Sequence, residues 1–351
     1  MENKKIVFLY SELANYFLAC IKALMQEPTI ELHIIRWEVN KEAPFTFQFP
    51  ENLKIYSRNN FNSPSELIDL VYSINPDVIY CSGWLDKGYL KVCKKFKTKV
   101  PVIVGFDSQW KGTVKQKLAV LFSPFKILNH FTHCWVPGSL QYKFAEKLGF
   151  KKENILTGFY SCDFDLFYNQ YLKNKDAKAT NFPKRFVYVG RYYEFKGIKD
   201  LWQAFIELQN EMPYDWELWC FGVGDVVPIN HPKIKHYGFV QPNDMPQYIS
   251  QTGVFVLPSL FEPWGVVVHE FASAGFPLIV STEVGARVEF VENDQNGFVF
   301  EAGNKDQLKT VMKKIMLMDA FDLVKMGEIS VEKAKQNTPE IWAKKLMQLI
   351  Q

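Results

Sequence analysis

The strongest constraint on this chain is an alternation that begins at residue 5 and runs almost to the end. Short runs of β-branched and aromatic residues alternate with longer amphipathic stretches. "KIVFLY" (5–10) reads as a buried strand and is followed by a helix from about Glu12 to Met25. "IELHIIRWE" (30–38) reads as a second strand. In "SPSELIDLVYSINP", Ser63 caps a helix, Pro64 fits its first position and Glu66 completes a capping box. "DVIYCSG", "PVIVGFD", "HCWVPG" and "NILTGFY" continue the strand series to Tyr160. Such a rhythm predicts parallel sheets covered by helices, an α/β architecture.

At 169–184, "NQYLKNKDAKATNFPK" breaks the pattern with polar residues and no apolar period, the mark of a linker or exposed loop. The alternation then restarts with "RFVYVGR" (185–191), a helix near 197–211, "WELWCFG", "KHYGFV" (235–240), "GVFVLPS" (253–259) and "PLIVST". Two doubly wound, Rossmann-like domains joined by one linker is the simplest arrangement, and 351 residues suit two domains. Ligands of open parallel sheets bind beyond the carboxyl ends of the strands, so a cleft between the domains is the expected site.

Bulk properties narrow the class. A net charge of +3 does not argue for nucleic acid. The six cysteines lack paired spacing and sit mostly in apolar runs, which suits reduced, buried thiols. No Cys-x-x-Cys with matching histidines points to zinc. No apolar run is long enough to span a bilayer, and "MENKKIVFLYSEL" is too short in its apolar part for a signal peptide. The expected location is cytoplasmic.

The chemistry concentrates in "SLFEPWGVVVHEF" (259–271). Carboxylates are costly to bury, yet Glu262 and Glu270 stand eight positions apart in apolar company. A strand precedes them and a helix is expected from about Trp264. The amides of Gly265, Val266 and Val267 would then lie at a helix N-terminus, an anion site suited to phosphate. Eight helical residues rise about 12 Å, roughly the span of a nucleotide-sugar. On the residues alone the two carboxylates are either a capping and a surface charge, or two ends of one ligand site.

The arrangement resembles the Glu-(seven residues)-Glu motif of retaining glycosyltransferases of family 4, which have the GT-B fold. "LPSLFEPWGVVVHEFASAGFPLIVSTEVGARVEFVENDQNGFVF", "VGRYYEFKGIKDLWQAF", "CFGVGD" and "YGFVQPNDMPQYI" run in that family's order. The resemblance is strong over about 185–300 and diffuse before it. It implies that Glu270 holds ribose hydroxyls and that Glu262 orients the transferred sugar. It also implies that Arg191 and Lys196 neutralise a diphosphate leaving group, and that Phe239 and Val240 lie near the base. Fixed cations at a leaving diphosphate stabilise the transition state more than the ground state. With Arg191, Lys196 and the helix end supplying positive potential, no metal is expected and the only cofactor-like ligand is a co-substrate, a UDP- or GDP-sugar.

The implied domains are an acceptor-side N-terminal domain (1–168), a nucleotide-sugar-binding domain (185–335) and a C-terminal helix (336–351) packing back on the first. The N-terminal half departs from better-known members of the family. "YSELANYF" (10–17) holds no glycine where many have a glycine-rich loop, leaving Ser11 or nearby backbone to substitute. Asp107 ends "PVIVGFD" near where many members place a histidine. It is a candidate contact to donor sugar or acceptor hydroxyl, or simply a turn carboxylate. "FGVGD" lacks the third glycine of a dinucleotide fingerprint and reads as a turn.

From Lys87 to Lys126 ten lysines face one acid, Asp107, and "TVKQKLAVLFSPFKILNHF" is amphipathic. That suits an anionic membrane surface or a solvated basic face. The functional expectation is a hexosyltransferase-type enzyme acting on a saccharide or lipid-linked acceptor in bacterial cell-surface polysaccharide or glycolipid synthesis. The alternatives are a GT-B sugar-nucleotide epimerase and a catalytically silent nucleotide-sugar-binding protein.

Overall fold

The computed structural model describes residues 3–38, 49–50, 53–211 and 214–350. Gln351, the last residue of the expected C-terminal helix, lies outside the described residues. The chain forms two compact units, one of residues 1–161 with 337–351 and one of residues 162–336.

The first unit is built on seven strands: β1 (Lys4–Tyr10), β2 (Ile30–Arg36), β3 (Lys54–Ser57), β4 (Val78–Ser82), β5 (Val102–Gly105), β6 (His133–Val136) and β7 (Ile155–Thr157). Their order is β3-β2-β1-β4-β5-β6-β7, every pair parallel. Ile6 stands level with Leu32 on one side and Val78 on the other. Residues such as Ile6, Val7, Phe8 and Leu9 are fully buried on both faces, hence the unbroken apolar runs. The helix Pro339–Met347 belongs to this unit: Trp342 stacks on Trp135 with ring centroids 4.7 Å apart and joins the cluster of Phe8, Phe17 and Leu346. At the break in the unit, Ser161 Oγ donates to the Asn337 carbonyl (2.8 Å) and Asn337 Nδ2 donates to the Tyr160 carbonyl (2.8 Å).

The second unit has six strands: β8 (Arg185–Val189), β9 (Glu217–Phe221), β10 (Ile234–His236), β11 (Val254–Leu257), β12 (Leu278–Ser281) and β13 (Gly297–Phe300). They run parallel in the order β10-β9-β8-β11-β12-β13. The topology reverses between β8 and β11, the point where such sheets open a ligand crevice.

Two expectations are corrected. Residues 169–180 are not a linker or loop: Phe164–Thr180 is one helix of 17 residues, and only 181–184 lie outside it before the next strand. Asp163 caps it by accepting from the Leu166 amide, and Phe164 and Phe167 are buried. The apolar anchors sit at its start, so its polar second half reads as loop. The expected strand at 235–240 is shorter, because Gly238 turns the chain out of β10 with φ +70°.

Candidate functional site

Two loops leave the second sheet at its switch point, one after β8 and one after β11. The β8 loop runs through Gly190 and Arg191 into a short 3-10 turn, Glu194–Lys196. Tyr188 Oη donates to the Arg191 carbonyl at 2.9 Å, fixing the exit from the strand. Gly197 follows with φ +65°, and a methyl there would overlap the Pro258 carbonyl oxygen of the other loop. The amides of Leu260 and Phe261 both donate to the Phe195 carbonyl, at 2.8 and 3.1 Å. This stitching carries Lys196 to Glu262, and their side chains form an ion pair with only 17% and 14% of their surfaces exposed.

Glu262 precedes the helix, so the expected rise of eight helical residues does not separate the two carboxylates. It forms a parallel bridge with Val284, and its carbonyl accepts from the Gly285 amide at 3.0 Å. The helix begins at Val266 and ends at Ser273, with Gly265 as its N-cap at φ 92°. Only the steps from Val266 to Glu270 are therefore helical, a rise of about 6 Å. The extra space a β-carbon would need at Gly265 is taken by Glu262 Cγ, Leu257 and Val284. The first-turn amides of Val266 and Val267 have no intrahelical acceptor by helix geometry, and both residues are partly exposed.

Glu270 lies one turn along this helix. Burial, then the charge of Asp163, pushes its carboxyl up to about 7. Its neighbour His269 is fully buried and held down at about 4, hence neutral at physiological pH. Its ring accepts the Cys162 amide at Nδ1 (3.2 Å) and faces the Ala334 carbonyl at Nε2 (3.1 Å). One imidazole thus fixes the helix that carries Glu270. Asp163 was not singled out in the sequence, and its effect on Glu270 requires the fold.

Phe239 and Val240 follow the turn at the carboxyl end of β10. The Gly238 carbonyl accepts the Gly222 amide at 2.7 Å, which ties this turn to "FGVGD". Gly222 in turn lies against Gly190, whose carbonyl oxygen a methyl would overlap. The Tyr192 amide donates to the Val223 carbonyl at 2.9 Å. The Gly-x-Gly pair is thus explained by loop packing, as its reading as a turn implies.

In the first unit, β1, β4 and β5 end around a pocket of about 400 Å³. Ser11, Glu12, Ser82, Asp107 and Tyr160 line it together with several aromatic rings. The Ser11 amide donates to Ser82 Oγ at 2.7 Å, so Ser11 braces the loop after β1. Tyr160 Oη lies 3.5 Å from Asp107 Oδ2, and Gln141 Nε2 donates to the Asp107 carbonyl at 3.1 Å. Burial raises the phenols of Tyr10, Tyr16, Tyr80 and Tyr160, keeping them protonated donors. Glu12, Tyr16 and Tyr160 were not singled out in the sequence.

The chain contains one Asp-x-Asp triplet, Asp163 to Asp165, but Asp163 caps a helix and Asp165 lies in its first turn. Among the described residues, no group of three or more His, Cys, Asp or Glu is placed to hold a metal ion. The six cysteines are buried thiols.

Residues 183–317 match the family described as glycosyl transferases group 1. That segment is similar to the glycosyl transferases group 1 family over a little more than a third of the chain. An uncharacterized glycosyltransferase of Methanocaldococcus jannaschii is 27% identical over 143 residues, 38% of this chain and 36% of that protein. An uncharacterized 41.2 kDa protein in the cps region of Klebsiella pneumoniae is 26% identical over 221 residues, 61% of each chain. A UDP-Gal:alpha-D-GlcNAc-diphosphoundecaprenol alpha-1,3-galactosyltransferase of Escherichia coli is 34% identical over 73 residues, 21% of this chain and 19% of that one. The alignments thus span about a fifth to three fifths of these relatives' lengths.

Sucrose-phosphate synthase from Thermosynechococcus elongatus shares the fold with a TM-score of 0.72 at 14% identity, over 99% of this chain and 98% of that one. Anabaena HepE, solved with UDP and glucose, does so at 0.72 and 13%, over 99% of both chains. The fold is GT-B, and the segment similar to the glycosyl transferases group 1 family lies within the second unit. Lys196, Glu262, the Gly265-capped helix and Glu270 all lie inside the matched segment.

Proposed function

We propose that the chain is a retaining glycosyltransferase that moves a hexose from a nucleoside-diphosphate sugar to an acceptor hydroxyl. The observation that carries this reading is the Lys196–Glu262 pair, held at the switch point of the second sheet beside a glycine-capped helix N-terminus. The diphosphate seats on the amides of Val266 and Val267, with Arg191 and Lys196 beside it. As the anomeric carbon–oxygen bond breaks, negative charge grows on the diphosphate and these cations hold it. Glu262 orients the sugar, Glu270 the ribose, and Phe239 and Val240 border the base. The reaction needs no metal, so chelation with EDTA leaves turnover unchanged.

HepE was solved with UDP, so UDP-sugars are the first donors to test, before GDP-sugars. For the first unit we propose the acceptor: aromatic faces, hydroxyls and the Asp107 carboxylate suit a saccharide ring. The galactosyltransferase relative and the relative in a cps region favour a lipid-linked acceptor in cell-surface polysaccharide or glycolipid synthesis. The enzyme then works in the cytoplasm at the inner face of the membrane, with the basic segment 87–126 toward the lipid.

Calorimetric titration with UDP and GDP tests the donor site. Binding of one of them, weakened by Glu270→Ala, is expected; failure to bind any nucleoside diphosphate overturns the reading. Release of UDP from a donor panel only when acceptor is present supports transfer. A sugar-nucleotide epimerase instead converts donor without acceptor, and a silent binding protein does neither.

A further inference from the structure

Cys162 is held to the helix Val266–Ser273 at two points one turn apart. Its amide donates to His269 Nδ1 at 3.2 Å. Its Sγ lies 3.4 Å from Ser273 Oγ, which itself donates to the His269 carbonyl at 2.8 Å. This clasp brings the next residue, Asp163, against the helix that carries Glu270, and the helix that Asp163 caps packs on it too. The two carboxylates differ in setting. Asp163 accepts the Leu166 amide at 3.3 Å at a helix N-terminus, where negative charge is favoured. Glu270 stands inside its helix, and Asp163 is the only charge acting on it among the described residues; Asp165, Glu289 and Glu328 of the packed helices do not. Cations on those helices are turned elsewhere: Lys178 to the Phe276 ring, Arg287 to the Val284 carbonyl (2.9 Å), Lys333 to Glu292 (2.9 Å). The adjoining strands β11 and β12 carry no ionisable residue.

We propose that Asp163 is a positioning residue of the nucleotide site: its charge keeps a proton on Glu270 in the free protein, so that nucleotide binding expels that proton. The inference rests on the reading of Glu270 as the ribose contact. An ionised carboxylate is acceptor-only and takes both hydroxyl hydrogens of a ribose diol, whereas a protonated one spends one oxygen on its own hydrogen. Binding therefore converts the carboxyl to carboxylate, and the proton leaves to solvent. Of the two acids, the one at the helix end stays ionised and the other holds the proton, the usual outcome when neighbouring carboxyls have unequal surroundings. Acid weakens the nucleotide complex, and the effect is set by a residue that need not touch the nucleotide.

UDP and GDP are titrated calorimetrically into the full chain at about pH 6 and pH 8, and the ratio of the two dissociation constants is taken. The ligand's own phosphate titrates in this range but contributes equally for every variant and cancels between them. The ratio is expected to be about tenfold larger in the wild type than in Glu270→Gln. Asp163→Asn, which still caps the helix, brings the ratio most of the way to that of Glu270→Gln. Titration of the wild type in two buffers of different ionisation heat needs no Asp163 variant, and it should show more protons released at pH 6 than for Glu270→Gln. Equal ratios in the wild type and Glu270→Gln, or in the wild type and Asp163→Asn, overturn the proposal and leave the donor site standing. Failure of both nucleotides to bind at either pH overturns the donor reading and this inference with it.

Discussion

Lys196 and Glu262 form an ion pair, and a diphosphate bound there would compete with the carboxylate for the ammonium. Lys196→Ala is expected to lower turnover by about 100-fold, the usual cost of losing a charge-stabilising group, with UDP release as the measurement. Glu270 carries a different consequence. Its folded carboxyl sits near 7, above the unfolded value, so the folded protein binds the extra proton between about pH 4.5 and 7. Stability should fall as pH rises through that window. Glu270→Gln should remove the slope and gain on the order of 1–3 kcal/mol at pH 8 in denaturant titrations. Lys178 behaves oppositely. Its ammonium is buried without a hydrogen-bond partner, 3.7 Å from the centre of the Phe276 ring, and burial pulls it down to about 7. The unfolded chain binds that proton up to about pH 10.4, so stability should climb from pH 7 toward 10. Lys178→Met should flatten the climb and raise the melting temperature at pH 7, read by calorimetry. None of this was legible in "KDAKAT", where lysine reads as surface; its long aliphatic stem packs inward from a helix whose apolar anchors lie elsewhere.

Elements explain which parts of the site could be read in advance. Strand-then-loop signals placed Arg191, Lys196 and Glu262 at carboxyl ends of strands, because parallel strands buried on both faces leave continuous apolar runs. The helix start was misjudged by two residues, since Trp264 looks like the head of the apolar run while Gly265 takes the left-handed cap. The edge strand β3, "KIYS", is short and only half-buried, and passed unnoticed. Least legible was the glycine stitching between loops. Gly197 reads as a helix-start glycine, yet its role is to let the β8 loop lie on Pro258. Gly197→Ala is therefore expected to cost about 2 kcal/mol or more and to weaken UDP binding, since both loops must shift. Denaturant unfolding and calorimetric titration report the two effects separately.

Across the whole molecule, the two-sheet α/β plan was legible from alternation, whereas the boundary was not: it falls at Ser161 and Cys162, ahead of the polar stretch. The second unit is one continuous segment, 162–336, and the first is interrupted by it. Expressed alone, 162–336 is expected to melt cooperatively and to be stabilised by UDP, measured by thermal shift. Both margins of the interruption are already sutured. In the host, Ser161 and Asn337 are hydrogen-bonded neighbours; in the insert, Cys162 and Ala334 meet the same imidazole. The chain is thus organised as a removable cassette within a host whose cut ends already touch. Under the proposed function, grafting another donor-binding cassette between Ser161 and Asn337 is expected to change what is transferred while leaving the first unit untouched.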